Sequence, residues 1–179
     1  LIRVASKILE NNGIDFKTEL TQTYRRNSVD LNCERHKNIF NRYNIIPRFC
    51  FECYKVQVNP RSIVELIKLH LVFDQIKLPQ NNTRKCMIEL RPEISGFYKG
   101  LIYCSSLEEA YQISKIVDEV VKEKIGLGLP SAVKRGCSEY AIAFPDYKII
   151  AKTGAKKMSY DEDWKSVEES ANSYKSLFA

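Results

Sequence analysis

The sequence predicts an α+β fold in which helices pack on one face of an antiparallel sheet. Short segments rich in aromatic and β-branched residues, which favour strands, alternate with longer segments whose apolar residues recur every three or four positions, which favour helices. Asn, Gly and Pro residues separate the segments. Within residues 48–150 these patterns predict the order strand, helix, strand, strand, helix, strand.

Four segments of this region are predicted to be strands. The clearest is RFCFECYKVQV, which is aromatic and β-branched and ends at Asn59 and Pro60. The last of the four is followed by Pro145 and Asp146, which interrupt a strand in the same way. The predicted strands cover residues 48–58, 85–91, 97–105 and 133–144.

Two helices are predicted between these strands, at 62–78 and 106–125. Ser106 is a favourable N-cap for the second helix, and Glu108 lies in its first turn, where the helix dipole stabilises negative charge. Gly126 follows the last turn, as glycine often does at the end of a helix. Both segments are therefore expected to cover the sheet.

This order of elements is that of ferredoxin-like domains, so the sequence predicts a ferredoxin-like βαββαβ core with a four-stranded antiparallel sheet. Right-handed crossovers place the four strands in the order 4-1-3-2, with both helices on one face. If the hairpin pairs Arg91 with Phe97, alternation puts Cys86 and Ile102 on the helix-covered face and Lys99 on the open face.

Helical extensions are predicted on both sides of this core. Residues 1–47 are expected to form an N-terminal extension with helices at 1–10 and 29–43. Residues 151–179 are expected to form a C-terminal amphipathic helix whose apolar stripe begins at Trp164. That stripe is predicted to pack on the open face of the sheet, with binding to another subunit as the alternative.

Composition narrows the classes to which the chain can belong. Its 179 residues are 44% hydrophobic and 28% charged, which indicates a globular domain rather than a collagen-like or low-complexity chain. No apolar run approaches the roughly 18 residues that a membrane span needs, so no membrane partner is expected. The chain begins with Leu1 and shows no signal-peptide pattern, so we expect a domain of a longer protein with neighbouring domains.

The six cysteines are predicted to be reduced thiols, because a chain of this length and apolar content can fold without disulfides. A cytoplasmic location is therefore expected. The net charge of +6 hides an uneven distribution, since residues 158–179 hold only two of the 28 basic residues and five of the 22 acidic ones. The rest of the chain is the more basic part, which is compatible with an anionic partner.

A basic cluster at one end of the predicted sheet is the leading candidate site. The all-antiparallel strand order brings five basic residues together there, and arginine can hold an anion with two parallel hydrogen bonds. We therefore predict a non-catalytic binding or regulatory domain that recognises an anionic ligand. The ligand is expected to be a nucleotide, a phosphorylated metabolite or an acidic peptide, so the partner is either a small molecule or a protein. The predicted anion-binding residues are Lys55, Arg91, Lys99, Lys134 and Arg135.

Zinc binding is the first alternative. Cys33 and His36 are three residues apart, as are Cys50 and Cys53, and two such pairs supply the four ligands of a tetrahedral zinc site. Against this hypothesis, residues three apart on a strand point to opposite faces. Packing of the cysteines as small apolar side chains is the competing interpretation.

Two further chemistries were considered. Cys137 follows Lys134, Arg135 and Gly136, whose charge would lower the pKa of its thiol, so a thiol-dependent enzyme is the second alternative, although no histidine lies in the same pattern. The segment from Lys99 to Cys104 and the helix after it resemble the third strand and second helix of an RNA-recognition motif. That resemblance implies nucleic-acid binding, but Leu101 stands where a stacking aromatic is expected.

Overall fold

A computed structural model describes residue 11 and residues 21–27, 31–151 and 153–173. Within them it confirms the α+β class and the antiparallel sheet, but the sheet has five strands rather than four. Across the sheet the order is first, third, fourth, second and fifth strand, and all neighbours are antiparallel. The strands are β1 (Gln22–Arg26), β2 (Tyr54–Val58), β3 (Arg84–Ile88), β4 (Tyr98–Cys104) and β5 (Ala132–Arg135).

Helices connect and flank these strands. Both long helices begin after a serine cap: Ser106, which was predicted, accepts a hydrogen bond from the Glu109 amide at 3.1 Å, and Ser62 accepts one from the Glu65 amide at 3.2 Å. Short 3₁₀ turns lie at Arg48–Glu52, Pro145–Lys148 and Glu162–Trp164. The helices are α1 (Cys33–Tyr43), α2 (Ile63–Gln75), α3 (Leu107–Lys124), α4 (Ser138–Ala143) and α5 (Lys165–Ser173).

The predicted strand at 48–58 is half as long as expected, because its first part is a 3₁₀ turn. Cys50 and Phe51 are adjacent in sequence, yet both are buried in the same apolar cluster. An extended strand would point them to opposite faces, whereas a helical turn lets both pack on one side.

The predicted strand at 133–144 is also shorter than expected. β5 ends at Arg135, and Gly136 then adopts a φ of +51°, which turns the chain out of the sheet. Residues 138–143 form α4 and bury Tyr140.

A fifth strand, β1, lies between the two predicted N-terminal helices, where no strand is predicted. It pairs with β3 at the edge of the sheet, and most of its side chains are exposed. Its sequence, QTYRR, therefore has no apolar alternation that would have identified it. The predicted helix at 1–10 and the last residues of the C-terminal helix, 174–179, lie outside the described residues.

The main core lies between one face of the sheet and the helices α2 and α3. Gly100 on β4 allows this close packing: a Cβ there would overlap Leu69 and would lie 2.9 Å from the ring of Phe73. The hairpin register differs from the predicted one, since Ile88 rather than Leu90 pairs with Tyr98. The shift is two residues, so every side chain keeps its predicted face.

A second, aromatic cluster lies beyond the end of the sheet. Phe51, Tyr140 and Tyr147 form its buried centre, and Tyr147 donates a hydrogen bond to the Cys50 carbonyl at 2.6 Å. Trp164 packs against this cluster, with its ring centroid 5.6 Å from that of Phe144, rather than on the open face of the sheet as predicted. Among the described residues, no helix is both long and apolar enough to cross a membrane.

The close approach at Gly100 predicts the effect of adding one methyl group. Gly100→Ala should lower the free energy of unfolding by about 1–3 kcal/mol, because α2 must shift to relieve the overlap with Leu69. Urea unfolding of Gly100→Ala, Leu69→Ala and the double variant checks this. The double variant should be less destabilised than the sum of the single variants, and simple additivity would contradict the packing argument.

Candidate anion-binding site

The face of the sheet that α2 and α3 leave uncovered carries basic side chains. The register pairs Lys55 of β2 with Tyr103 on one side and with Lys134 on the other, and it pairs Lys99 of β4 with Met87. Paired residues in an antiparallel sheet point to the same face, so these lysines share one surface. The surface is not an open solvated plane: Lys55 is only 8% exposed and Lys99 only 3% exposed.

A pocket of about 330 Å³ lies over this face. Sheet residues form its floor, and Lys37 of α1 and Glu139 of α4 close it from the sides. We call it the lysine pocket; the charged residues that line it are Lys37, Lys55, Lys85, Glu89, Arg91, Lys99 and Glu139.

Two carboxylates hold three of the five cations. Glu89, which is 5% exposed, accepts hydrogen bonds from Arg91 at 2.8 and 2.9 Å and from Lys99 at 3.1 Å. Glu139 accepts a hydrogen bond from Arg91 at 2.6 Å and forms an ion pair with Lys37 at 3.4 Å. These bonds link β3, β4, α1 and α4 around the pocket.

Lys55 has no such partner. No described residue accepts a hydrogen bond from its ammonium group or forms an ion pair with it, although the residue is 92% buried. Lys99 provides the contrast, since it is as deeply buried but pairs with Glu89. Lys85 also lacks a carboxylate and lies over the ring of Tyr103 at 5.7 Å. Buried cations are ordinarily paired, so Lys55, without a partner among the described residues, departs from the usual pattern.

The pocket lowers the pKa of Lys55, Lys85 and Glu89, which disfavours the charged form of the lysines and favours the charged form of the carboxylate. Burial lowers the pKa of Lys55, and the neighbouring Lys99 lowers it further. Burial also lowers the pKa of Lys85, as do Lys37 and Lys55. The hydrogen bonds from Arg91 hold the pKa of Glu89 at about 2, so its carboxylate is ionised throughout the physiological range.

The predicted anion-binding residues do not all lie together. Lys55, Arg91 and Lys99 line the lysine pocket, whereas Lys134 lines a neighbouring pocket that shares Lys55. The candidate site therefore lies on the face of the sheet, not at the end of the sheet where it was predicted. Lys55 lies within β2, and the strand register determines which residues are its neighbours.

Arg135 also lines the neighbouring pocket, but its guanidinium is occupied by the fold. It donates hydrogen bonds to the main-chain oxygens of Phe51 at 2.9 Å and Met158 at 2.7 Å, and it lies over the rings of Phe51 and Tyr147. Its role is to join the aromatic cluster to β5.

Sequence reasoning missed two residues of the pocket, Lys37 and Lys85. Lys85 could have been found, because alternation along β3 puts it on the face of Met87. No periodicity identifies Lys37, since it reaches the pocket only through the packing of α1 against the sheet.

The candidate zinc ligands do not form a recognisable metal site in the described residues. Within the described ranges, no group of three or more His, Cys, Asp or Glu side chains is placed to hold a metal ion. The ring of His36 is buried and stacks on Phe49, with centroids 5.2 Å apart. Burial raises the pKa of both Cys50 and Cys53 to about 12, so both are protonated thiols at neutral pH in the structure as it stands. All six cysteines are free.

Cys137 lines the lysine pocket, immediately before α4. The nearby Lys55 and Lys37 favour its thiolate, but burial outweighs them and raises the pKa of the thiol. An activated nucleophile needs the opposite shift. The neighbouring cations therefore lower the pKa of Cys137 as expected, but not by enough to offset its burial.

The carboxylate of Glu89 predicts a loss of stability in acid. Its pKa is about 2 in the folded protein and near 4.3 in an unfolded chain, so its contribution is complete above about pH 4.3 and lost as the pH falls towards 2. Glu89→Gln should therefore lower the free energy of unfolding by about 3 kcal/mol at pH 7 and by progressively less below pH ~4. Urea unfolding between pH 3 and 7 measures this difference in the free energy of unfolding. The control is Glu119→Gln, on the solvent-exposed side of α3. A constant difference across that range would contradict the assignment.

Whereas removal of the Glu89 charge should destabilise the fold, removal of the unpaired ammonium of Lys55 should stabilise it. Lys55→Met should raise the free energy of unfolding of the ligand-free protein at pH 7 by about 1–3 kcal/mol, because it removes a buried cation without a partner. Since burial lowers the pKa of Lys55 in the folded state, the gain should shrink as the pH rises towards about 10. Lys115→Met, on the exposed side of α3, should change the stability by less than about 0.5 kcal/mol. A destabilised Lys55→Met variant would show that Lys55 serves the fold instead.

Comparisons with known proteins identify no relative. No family model matches the chain, and neither a curated protein nor a solved structure matches it. What can be inferred about function therefore comes from the lysine pocket itself: its buried cations, the pairing of its two carboxylates and the unpaired ammonium of Lys55.

Proposed function

We propose that the protein binds a small anionic molecule in the lysine pocket, as a non-catalytic binding or regulatory domain of a larger protein. The observation that carries the proposal is Lys55, a buried lysine in a pocket for which the described part of the chain supplies no partner. A bound anion would supply the missing charge, and charge-assisted hydrogen bonds are the strong ones in a site shielded from water.

The charges of the pocket favour a ligand with more than one negative charge. Five basic side chains face two carboxylates there, so the pocket has an excess of positive charge. A volume of about 330 Å³ is at the small end of ligand pockets and suits a phosphorylated metabolite better than a nucleotide or a peptide. Nucleic acid is disfavoured, because Leu101 is buried on this face where a base-stacking aromatic would need to be exposed.

We further propose that β2, α2, β3, β4, α3 and β5 form a ferredoxin-like core, to which β1 is an addition. The strand order β5-β2-β4-β3 and the packing of α2 and α3 on one face support this classification. A cytoplasmic location also stays a proposal, and it rests on cysteines such as Cys86 and Cys104 that serve as apolar core residues.

Binding of simple anions tests the proposed function. Inorganic phosphate, pyrophosphate and phosphoenolpyruvate should be titrated by calorimetry, with thermal unfolding as a second readout. At least one should bind and raise the melting temperature, and Lys55→Met should weaken its binding about 10- to 100-fold because one charge-assisted hydrogen bond is lost.

The matched control is Lys115→Met, which removes the same charge from the opposite side of the sheet and should leave the affinity unchanged. Equal losses in the two variants would show that only the net charge matters. If none of the three anions binds the wild-type protein, the proposed function is wrong.

A further inference from the structure

The lysine pocket contains an amine placed for covalent chemistry. Lys55 is surrounded by other cations, and every carboxylate that lines the pocket is already bonded to a different residue. A lysine that is desolvated beside other cationic groups is the usual setting of an amine that attacks a carbonyl carbon.

We propose that Lys55 forms a reversible imine with a small anionic aldehyde or ketone that binds in the lysine pocket. This inference rests on the proposed function and specifies its ligand as a carbonyl compound that also carries a carboxylate or phosphate. The anionic end would bind Lys85 and Lys99, which come from β3 and β4, while the carbonyl carbon meets Lys55 on β2.

The step needs no redox partner. The neutral Lys55 amine donates its electron pair to the carbonyl carbon, a C–N bond forms, and the carbonyl π electrons move to oxygen. The nitrogen, now positively charged, gives up a proton, and the oxygen takes one up. The resulting carbinolamine loses water, and the C=N bond forms. Burial is the main cause that favours the neutral amine from which the step begins; the charge of Lys99 acts in the same direction, and that of Glu139 opposes it.

The pairing pattern separates Lys55 from the other lysines of the pocket. Lys99 is held by Glu89 at 3.1 Å and Lys37 by Glu139 at 3.4 Å, so the ammonium groups of both lysines are already bound to carboxylates. Lys85 is free of carboxylates but more exposed than Lys55, and its ammonium lies over the ring of Tyr103. The structure therefore singles out one nucleophilic amine among four.

Reductive trapping tests the proposal. The wild-type protein is incubated with glyoxylate or with pyridoxal 5′-phosphate, reduced with borohydride, and digested for site-resolved mass spectrometry. With at least one probe, Lys55 should be labelled at a concentration at least about tenfold lower than the exposed Lys115, because the pocket concentrates the anion beside the amine. Glycolate and pyridoxine 5′-phosphate, which lack the carbonyl group, should leave no adduct and should compete with the labelling.

Two variants test whether the labelling depends on the Lys55 amine and on the charge of Lys85. Lys55→Met should lose the pocket adduct without a gain at Lys85 or Lys99. Lys85→Met should require a higher probe concentration, because it removes a charge that holds the anionic end, but should reach the same final labelling of Lys55.

The failure of this inference can be told apart from that of the proposed function. If phosphate or pyrophosphate binds in a Lys55-dependent way but neither carbonyl probe labels Lys55 in preference to Lys115, the pocket binds anions and the imine proposal is wrong. If no anion binds and no preferential labelling occurs, both proposals are wrong.

Discussion

Glu89 is the residue on which the organisation of the lysine pocket depends. Its buried carboxylate binds Arg91 and Lys99 together, so two cations can lie on a sheet face that is largely shielded from water. Glu139 completes the arrangement by bonding Arg91 and Lys37. With both carboxylates committed, Lys55 receives none. The unpaired amine and the network that surrounds it are therefore parts of one electrostatic arrangement.

The aromatic cluster determines where the second carboxylate lies. Arg135 ties the main chain at Phe51 and Met158 to the end of β5, and the burial of Tyr140 anchors α4 beside it. Glu139, the neighbour of Tyr140, is thereby brought against the open face of the sheet. Arg135 was predicted to bind a ligand. Instead, its planar guanidinium donates hydrogen bonds to main-chain oxygens and holds in place the segments beside the pocket.

Local patterns predicted much of the fold and part of the site. The serine caps and the long helices α2 and α3 begin as their sequences indicate, and a two-residue shift in hairpin register left the face of Lys99 unchanged because the side-chain period of a strand is two. Segments with weaker patterns were mispredicted. The polar strand β1 is defined by its pairing with β3, and the turn before β2 is defined by the burial of Cys50 and Phe51 on one side.

By itself, the sequence determined the α+β class, the order of the main elements and the position of Lys99 on the open face, since these follow from periodicity and capping within a few residues. The tertiary structure decided which cations are free. Arg91 meets Glu139 across 48 positions of the chain, and Lys37 arrives from a separate helix. Pairing of charges depends on distances of a few ångströms between remote segments, which no local pattern contains. Only the folded chain therefore distinguishes Lys55 from the other basic residues that line the lysine pocket.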